Sequence, residues 1–199
     1  MSESRPQLLS RLARSTREQT IPGMFLQAVL ASAEVHGLDV VERARHQVRE
    51  GGPLVESYRY PVSSMLRMLD IIGQAAESQG VSYGEALFQS GRHAGLAYVR
   101  SAVGRMRVLV AASAGLHRAL EGIPNAAQLA VNFGDRTYRR LTHSSGELAF
   151  HQDLIGTAWN SGMVTASTSA GLSLAPEELK FDVSVTDEDA SSFVLHLHW

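Results

Sequence analysis

Eight histidines and no cysteine set the range of chemistry open to this chain. Without thiols, disulfides, zinc–thiolate sites and cysteine nucleophiles are excluded together. His117 is the sharpest single candidate. In a helix expected over 105–120, Met106, Val110, Ser113, His117 and Leu120 fall in one narrow stripe, which turns the imidazole inward. An interior imidazole can ligate iron when its second nitrogen is fixed by a partner. The plainer alternative is a core histidine bonded to a carbonyl.

Four other histidines fall on expected strands. His196 and His198 lie at i, i+2, opposite Phe193, Leu195 and Leu197, and His143 and His151 share one face of an expected hairpin. A metal site needs a third ligand and supporting partners. The expected reading is the solvated or partner-facing side of a sheet, with no metal. Arg136, Arg139 and Arg140 with Tyr138 make a basic aromatic cluster that could hold an anion. Charge protecting an edge strand is the expected reading. Asp187-Glu188-Asp189 reads as a solvated turn. There is no Gly-x-Ser-x-Gly elbow and no phosphate-binding loop. Without a convergent acid, base and nucleophile, the chain is not expected to be an enzyme.

The elements that must position these residues follow in a definite order. Residues 1–19 are polar and basic, with a weak Leu8, Leu9, Leu12 stripe, and read as a flexible or loosely docked arm. Pro22-Gly23 punctuates the chain, then helices run from Met24 to Val35 and from Leu38 to Val48. Pro61 suits the first turn of a helix. Val62, Met65, Leu66, Leu69, Ile72 and Ala76 then repeat at helical spacing. Ser82 with Glu85 forms a capping box for a helix over about 83–102. Its Ser90, Gly91, Ala94, Gly95 and Ala102 face invites close approach by another element, at a cost in helix propensity. Gly122 and Pro124 are expected to stop the next helix.

From there the period changes to 2. Leu129, Val131 and Phe133 alternate, and Thr137–Thr142 and Glu147–His151 flank a Ser-Ser-Gly turn. Ile155, Trp159, Met163, Ala166 and Ala170 form a helical stripe, and Leu179–Val185 and Phe193–Trp199 alternate again. The fold class is α+β: a helical N-terminal half packed on one face of an antiparallel sheet of about five strands. Residues 20–199 read as a single domain, with the arm outside it.

Composition excludes further classes. A net charge of -2 argues against a duplex nucleic-acid binder. Of the 18 basic residues all but Lys180 are arginine, scattered rather than clustered. No run reaches the ~18 apolar residues of a membrane span, and the N-terminus lacks the apolar region of a secretory signal. The cytoplasm is the expected compartment.

The order of these motifs carries a resemblance. Pro22-Gly23-Met24-Phe25, the Tyr60-Pro61 helix start, Ser90-Gly91-Arg92 and the closing Leu197-His198-Trp199 resemble a myxobacterial paralogous family of unknown function, over about residues 20–199. That family is similar in fold to haem-nitric-oxide-binding domains, 4-vinyl-reductase-type ligand-binding domains and transport-particle subunits. The resemblance implies a binding or signalling role rather than catalysis. It also implies a specific test for His117, because haem-nitric-oxide-binding domains hold iron through one histidine late in the helical half. Those sensors carry a Tyr-x-Ser-x-Arg clamp for the haem propionates. The comparable stretch here, Phe150-His151-Gln152-Asp153-Leu154, has no arginine.

The expected function is a non-catalytic signalling or regulatory domain that binds a small hydrophobic ligand or a partner protein, without a cofactor. Met24, Phe25, Tyr60, Met65, Met106 and Trp159 are the candidate cleft-lining residues. The alternative is a haem-based gas sensor with His117 as axial ligand. A homodimer is expected from the related folds.

Overall fold

The computed structural model describes residues 3–48, 52–102, 104–106, 115–175 and 178–199. Its architecture is α+β. Helix α1 (Arg5–Arg14) is followed by strand β1 (Thr20–Pro22), helix α2 (Gly23–Ala33), a 3-10 turn (Glu34–His36) and α3 (Leu38–Arg45). Strand β2 (Arg59–Pro61) leads into α4 (Val62–Ser78), then α5 (Tyr83–Arg100) and α6 (Leu116–Ala130). The hairpin β3 (Asp135–Arg140) and β4 (Ser145–His151), helix α7 (Thr157–Leu172) and the hairpin β5 (Lys180–Val185) and β6 (Phe193–His198) complete the chain.

Four strands form one antiparallel sheet in the order β3-β4-β6-β5. The other two, β1 and β2, form a separate short ladder with Ile21 opposite Tyr60. Two sequence motifs therefore meet in space. In each, a proline ends a strand and caps the helix that follows, so Pro61 stands one residue ahead of the helix it was expected to begin. The Gly23 position lies against the Val55 carbonyl and the Tyr60 ring.

The amphipathic stripe of α4 is the centre of the helical core, with Val62, Met65, Leu66, Leu69, Ile72 and Ala76 all sealed from solvent. Ser82 caps α5 by accepting the Glu85 N–H at 3.3 Å. The small face of α5 packs on α7 of the same chain. A Cβ on Gly91 would lie 2.0 Å from the Trp159 carbonyl oxygen, and one on Gly162 would lie 2.1 Å from that of Phe88. Glycine at both positions is what lets two backbones touch. A second core lies on the inner face of the sheet, where Leu148, Phe150, Phe193, Leu195 and Leu197 meet Leu120 and Val164. Helix α7 joins the two cores, giving Trp159 to one and Val164 to the other.

Two expectations are corrected. The N-terminal segment is not loosely docked: Leu8 and Arg11 of α1 are fully buried. Arg11 donates to the carbonyls of Leu154 at 3.1 Å, Ile155 at 3.3 Å and Asp189, and pairs with Glu3. The strand expected at Leu129–Phe133 is instead the end of α6 and its exit. The helix runs through Gly122-Ile123-Pro124 to Ala130 despite the missing proline N–H. Leu129, taken as strand core, is 74% exposed, whereas Val131, extended just past the helix, and Phe133, in the bend that follows, are buried. Hence the main sheet has four strands among the described residues.

Candidate functional site

Helix α6 is pinned at both ends. At its start, His117 Nε2 lies 3.1 Å from the His143 carbonyl and Nδ1 lies 2.5 Å from the Tyr138 hydroxyl. A carbonyl only accepts, so Nε2 carries the proton and Tyr138 donates to Nδ1. Burial, with the Glu121 carboxylate, pushes the Tyr138 phenol above its ordinary value, which keeps that donor protonated. The terminal Trp199 ring stands edge-on to the imidazole at 4.7 Å. At the far end, Arg59 donates to the Ala130 carbonyl at 3.0 Å, and Asn132 joins the Thr20 N–H at 2.7 Å to the Glu18 carbonyl.

Between these pins, two adjoining cavities open where α5, α6 and α7 meet. The outer groove, about 480 Å³, is walled by Tyr98, Val99, Met106, Ile123, Thr168 and Leu172 among others. The inner chamber, about 110 Å³, reaches Phe25, Val131, Phe150, Trp159 and Met163. Tyr98, Ile123, Ala126 and Ser167 belong to the walls of both.

The polar groups of the chamber are largely committed. Arg136 pairs with Asp153, donates to the Phe133 and Gly134 carbonyls at 2.7 and 3.1 Å, and stands over the Phe133 and Phe150 rings. Asn160 donates to Asp153 at 2.9 Å and to the Gly156 carbonyl at 2.8 Å. In the outer groove Arg118 pairs with Glu121 at 3.1 Å. One wall group differs: the buried Trp159 indole N–H has no hydrogen-bond partner among the described residues.

Of the six expected lining residues, Phe25 and Trp159 wall the chamber and Met106 walls the groove, 66% exposed. The other three line neither cavity. Met65 is sealed in α4, Tyr60 is buried and accepts the Val55 N–H at 3.0 Å, and Met24 packs half-buried on the helical core. Sequence reasoning missed Tyr98, Ile123, Ala126 and Ser167. Reading 128–133 as a strand broke up α6, the helix that forms one wall.

The histidines do not converge. His117 opens α6 rather than closing a helix over 105–120, and Val110 and Ser113 of the expected stripe lie outside the described residues. His196 lies 3.2 Å from Glu147 and 3.0 Å from Ser184. His143 sits in the hairpin turn while His151 ends β4, at opposite ends of the strand. Among the described residues no group of three His, Asp or Glu side chains could hold a metal. The arginine cluster is dispersed along edge strand β3: Arg136 is buried, Arg139 pairs with Glu147, and Arg140 donates to the Thr142 carbonyl. The acidic turn is a dock for α1, where Asp189 receives Arg14 and the Glu188 carbonyl receives Gln7.

Among solved structures the fold is similar to H-NOX proteins. An Fe(II) unliganded H-NOX protein from K. algicida matches with a TM-score of 0.66 at 14% identity, covering 89% of this chain and 96% of that one. A mutant of T. tengcongensis H-NOX matches at 0.63 and 13%, covering 89% and 97%. A mutant H-NOX protein from S. oneidensis matches at 0.64 and 9%, covering 89% and 95%. At such identities the likeness is one of fold. No curated protein matches the chain. A family model described as a protein of unknown function (DUF2378) matches residues 14–199.

The resemblance set His117 up as an axial ligand for haem, and the described residues do not fit a haem held through it. Both ring nitrogens are engaged, and His117 lines neither cavity. The two arginines among the described lining residues, Arg118 and Arg136, are already paired with carboxylates, which leaves neither free for a propionate.

Proposed function

The chain belongs to the DUF2378 family of unknown function, and from that premise we propose that it is a non-catalytic regulatory domain that binds a small apolar ligand between α5, α6 and α7. The observation that carries this reading is the outer groove with its inner chamber. Its volume, about 480 Å³, falls within the roughly 300–1,000 Å³ range of small-molecule sites, and its walls are mainly apolar. The likeness in fold to H-NOX proteins supports a sensor-like role, with a different occupant.

A route for the signal follows from how α6 is held. A ligand wedged beside Ile123 and Ala126 presses on the middle of α6. Its first turn is hydrogen-bonded to Tyr138 on β3 and touches Trp199 after β6, so a shift of the helix reaches the outer part of the sheet. This is population shift in a helix held at two points.

Native mass spectrometry of freshly purified protein tests the proposal. An organic mass that co-purifies with the wild type and is lost in Ala126→Phe, which fills the neck of the cavity, is the expected result. A bare chain whose melting temperature no apolar compound raises would overturn it.

A further inference from the structure

The outer face of the main sheet carries an ordered row of charges. Strand register sets Arg139, Glu147, His196 and Asp182 side by side across β3, β4, β6 and β5. The middle of the row is engaged within the chain, where Glu147 meets both Arg139 and His196. The two ends are not saturated. The Arg139 side chain is 73% exposed and gives Glu147 only Nε and one terminal nitrogen, so it retains donors. Asp182 is exposed, and its side chain has no hydrogen bond or ion pair among the described residues. Neighbouring strands lie about 4.8 Å apart, so three gaps hold these ends roughly 14 Å from each other, beyond the reach of a salt bridge.

A two-fold axis removes that separation. Placed parallel to the strands and midway between β4 and β6, it lays the row on its own reversal. Arg139 then faces the partner's Asp182, and Glu147 faces the partner's His196. The next row, Thr137, Ala149, Val194 and Ser184, is uncharged and sets Ala149 on the partner's Val194. Its small side chains leave room for two sheets to pack at the usual spacing of about 10 Å. In the row on the other side, His198 meets the partner's Ser145. These rows bring no like charges together. A patch that complements its own reversal is what an isologous contact requires, since the same surface serves both subunits. An unrelated partner would place no such demand on the order of the charges.

We infer that this outer sheet face is the contact of a homodimer, in which two copies pack sheet to sheet and Arg139 pairs with the partner's Asp182 at both ends of the row. Four short strands make a small interface, so the dimer is a weak one, in the micromolar range. None of these residues lines either cavity, and the inference stands apart from the ligand proposal.

Sedimentation velocity of the full-length protein, from roughly 1 to 300 µM, tests it. Asp182→Arg sets Arg139 against a second cation, and Arg139→Glu sets Asp182 against a second carboxylate, each at both ends of the contact. Either variant alone is expected to dimerise at least ~10-fold more weakly than wild type. An equimolar mixture of the two is expected to recover near wild-type affinity, because every facing pair is again opposite in charge. Asp182→Asn, which removes the attraction without adding repulsion, should fall between. Both positions are exposed, and circular dichroism checks that each variant is folded. A wild type that stays monomeric across the range overturns the inference. So does a dimer that the single variants form as tightly as wild type, which places the contact elsewhere. A mixture that fails to recover overturns the Arg139–Asp182 pairing.

Discussion

The loop leading into α7 and the side chains just inside the helix handle buried polar groups in opposite ways. At the start every group named is matched. Glu3 accepts the Ala158 N–H at 2.6 Å and pairs with Arg11, and Asp153 accepts the N–H groups of Ile155 at 2.8 Å and Gly156 at 3.1 Å. Gly156 adopts a positive φ of 96°, and a side chain there would collide with Arg11 and Glu3. A few residues on, the Trp159 N–H and the Ser161 hydroxyl are buried without partners among the described residues. Both regions are buried, so an unpaired group costs much in either. The first region is built to hold the N-terminal helix to the sheet side. The second packs beside the inner chamber and leaves both groups unmet.

Breaking the matched region should cost most. Asp153→Ala leaves Arg136 buried without its carboxylate and strips two backbone donors. A loss of about 3–5 kcal/mol in unfolding free energy is expected, measured by urea denaturation. Arg11→Met should fall in the same range, since it leaves Glu3 unpaired and frees three carbonyls. Next comes Gly91→Ala. Its methyl meets the Trp159 backbone, so α5 and α7 must separate, at about 1–3 kcal/mol by the same measurement.

Trp159→Phe sharpens the contrast from the other side. It deletes a donor that has no partner, so stability should change by only about 1 kcal/mol. A stability loss as large as that of Asp153→Ala would erase the distinction between the two regions. The smallest effect is expected on the exposed face of the sheet. Hydrogen bonding from Arg139 holds the Glu147 carboxyl below its ordinary value. Its contribution is therefore full above the unfolded value of 4.5 and is lost as pH falls through the depressed folded value. Wild type and Glu147→Gln should differ by at most about 1 kcal/mol at neutral pH and converge in acid, as read by thermal denaturation across pH.

How much was legible beforehand varied with the kind of signal. The α4 stripe, the Ser82 cap, the close-packing face of α5 and the two hairpins follow from local periodicity and turn chemistry, and each stands in the fold. Gly91 and Gly95 announced a close contact without naming the partner. Alternation at Leu129, Val131 and Phe133 misled, because the pattern runs across a helix end and the bend after it, and Leu129 faces solvent. Of the expected lining residues, Phe25, Met106 and Trp159 reach the cavities, but Met24, Tyr60 and Met65 carry the same composition signal and are core. Bulk and polarity cannot separate a wall from an interior.

The sequence by itself determined the α+β class, the α4 and α5 helices, the later strands and the family, because hydrophobic period, caps and turns are properties of neighbouring residues. Tertiary structure alone decided the rest. Arg11 reaches carbonyls more than 140 positions away, His117 finds its acceptor in a hairpin turn, and the Trp159 N–H is left open beside a chamber. Each depends on which distant groups arrive within about 3 Å, and hydrogen bonding, unlike periodicity, leaves no local trace in the chain.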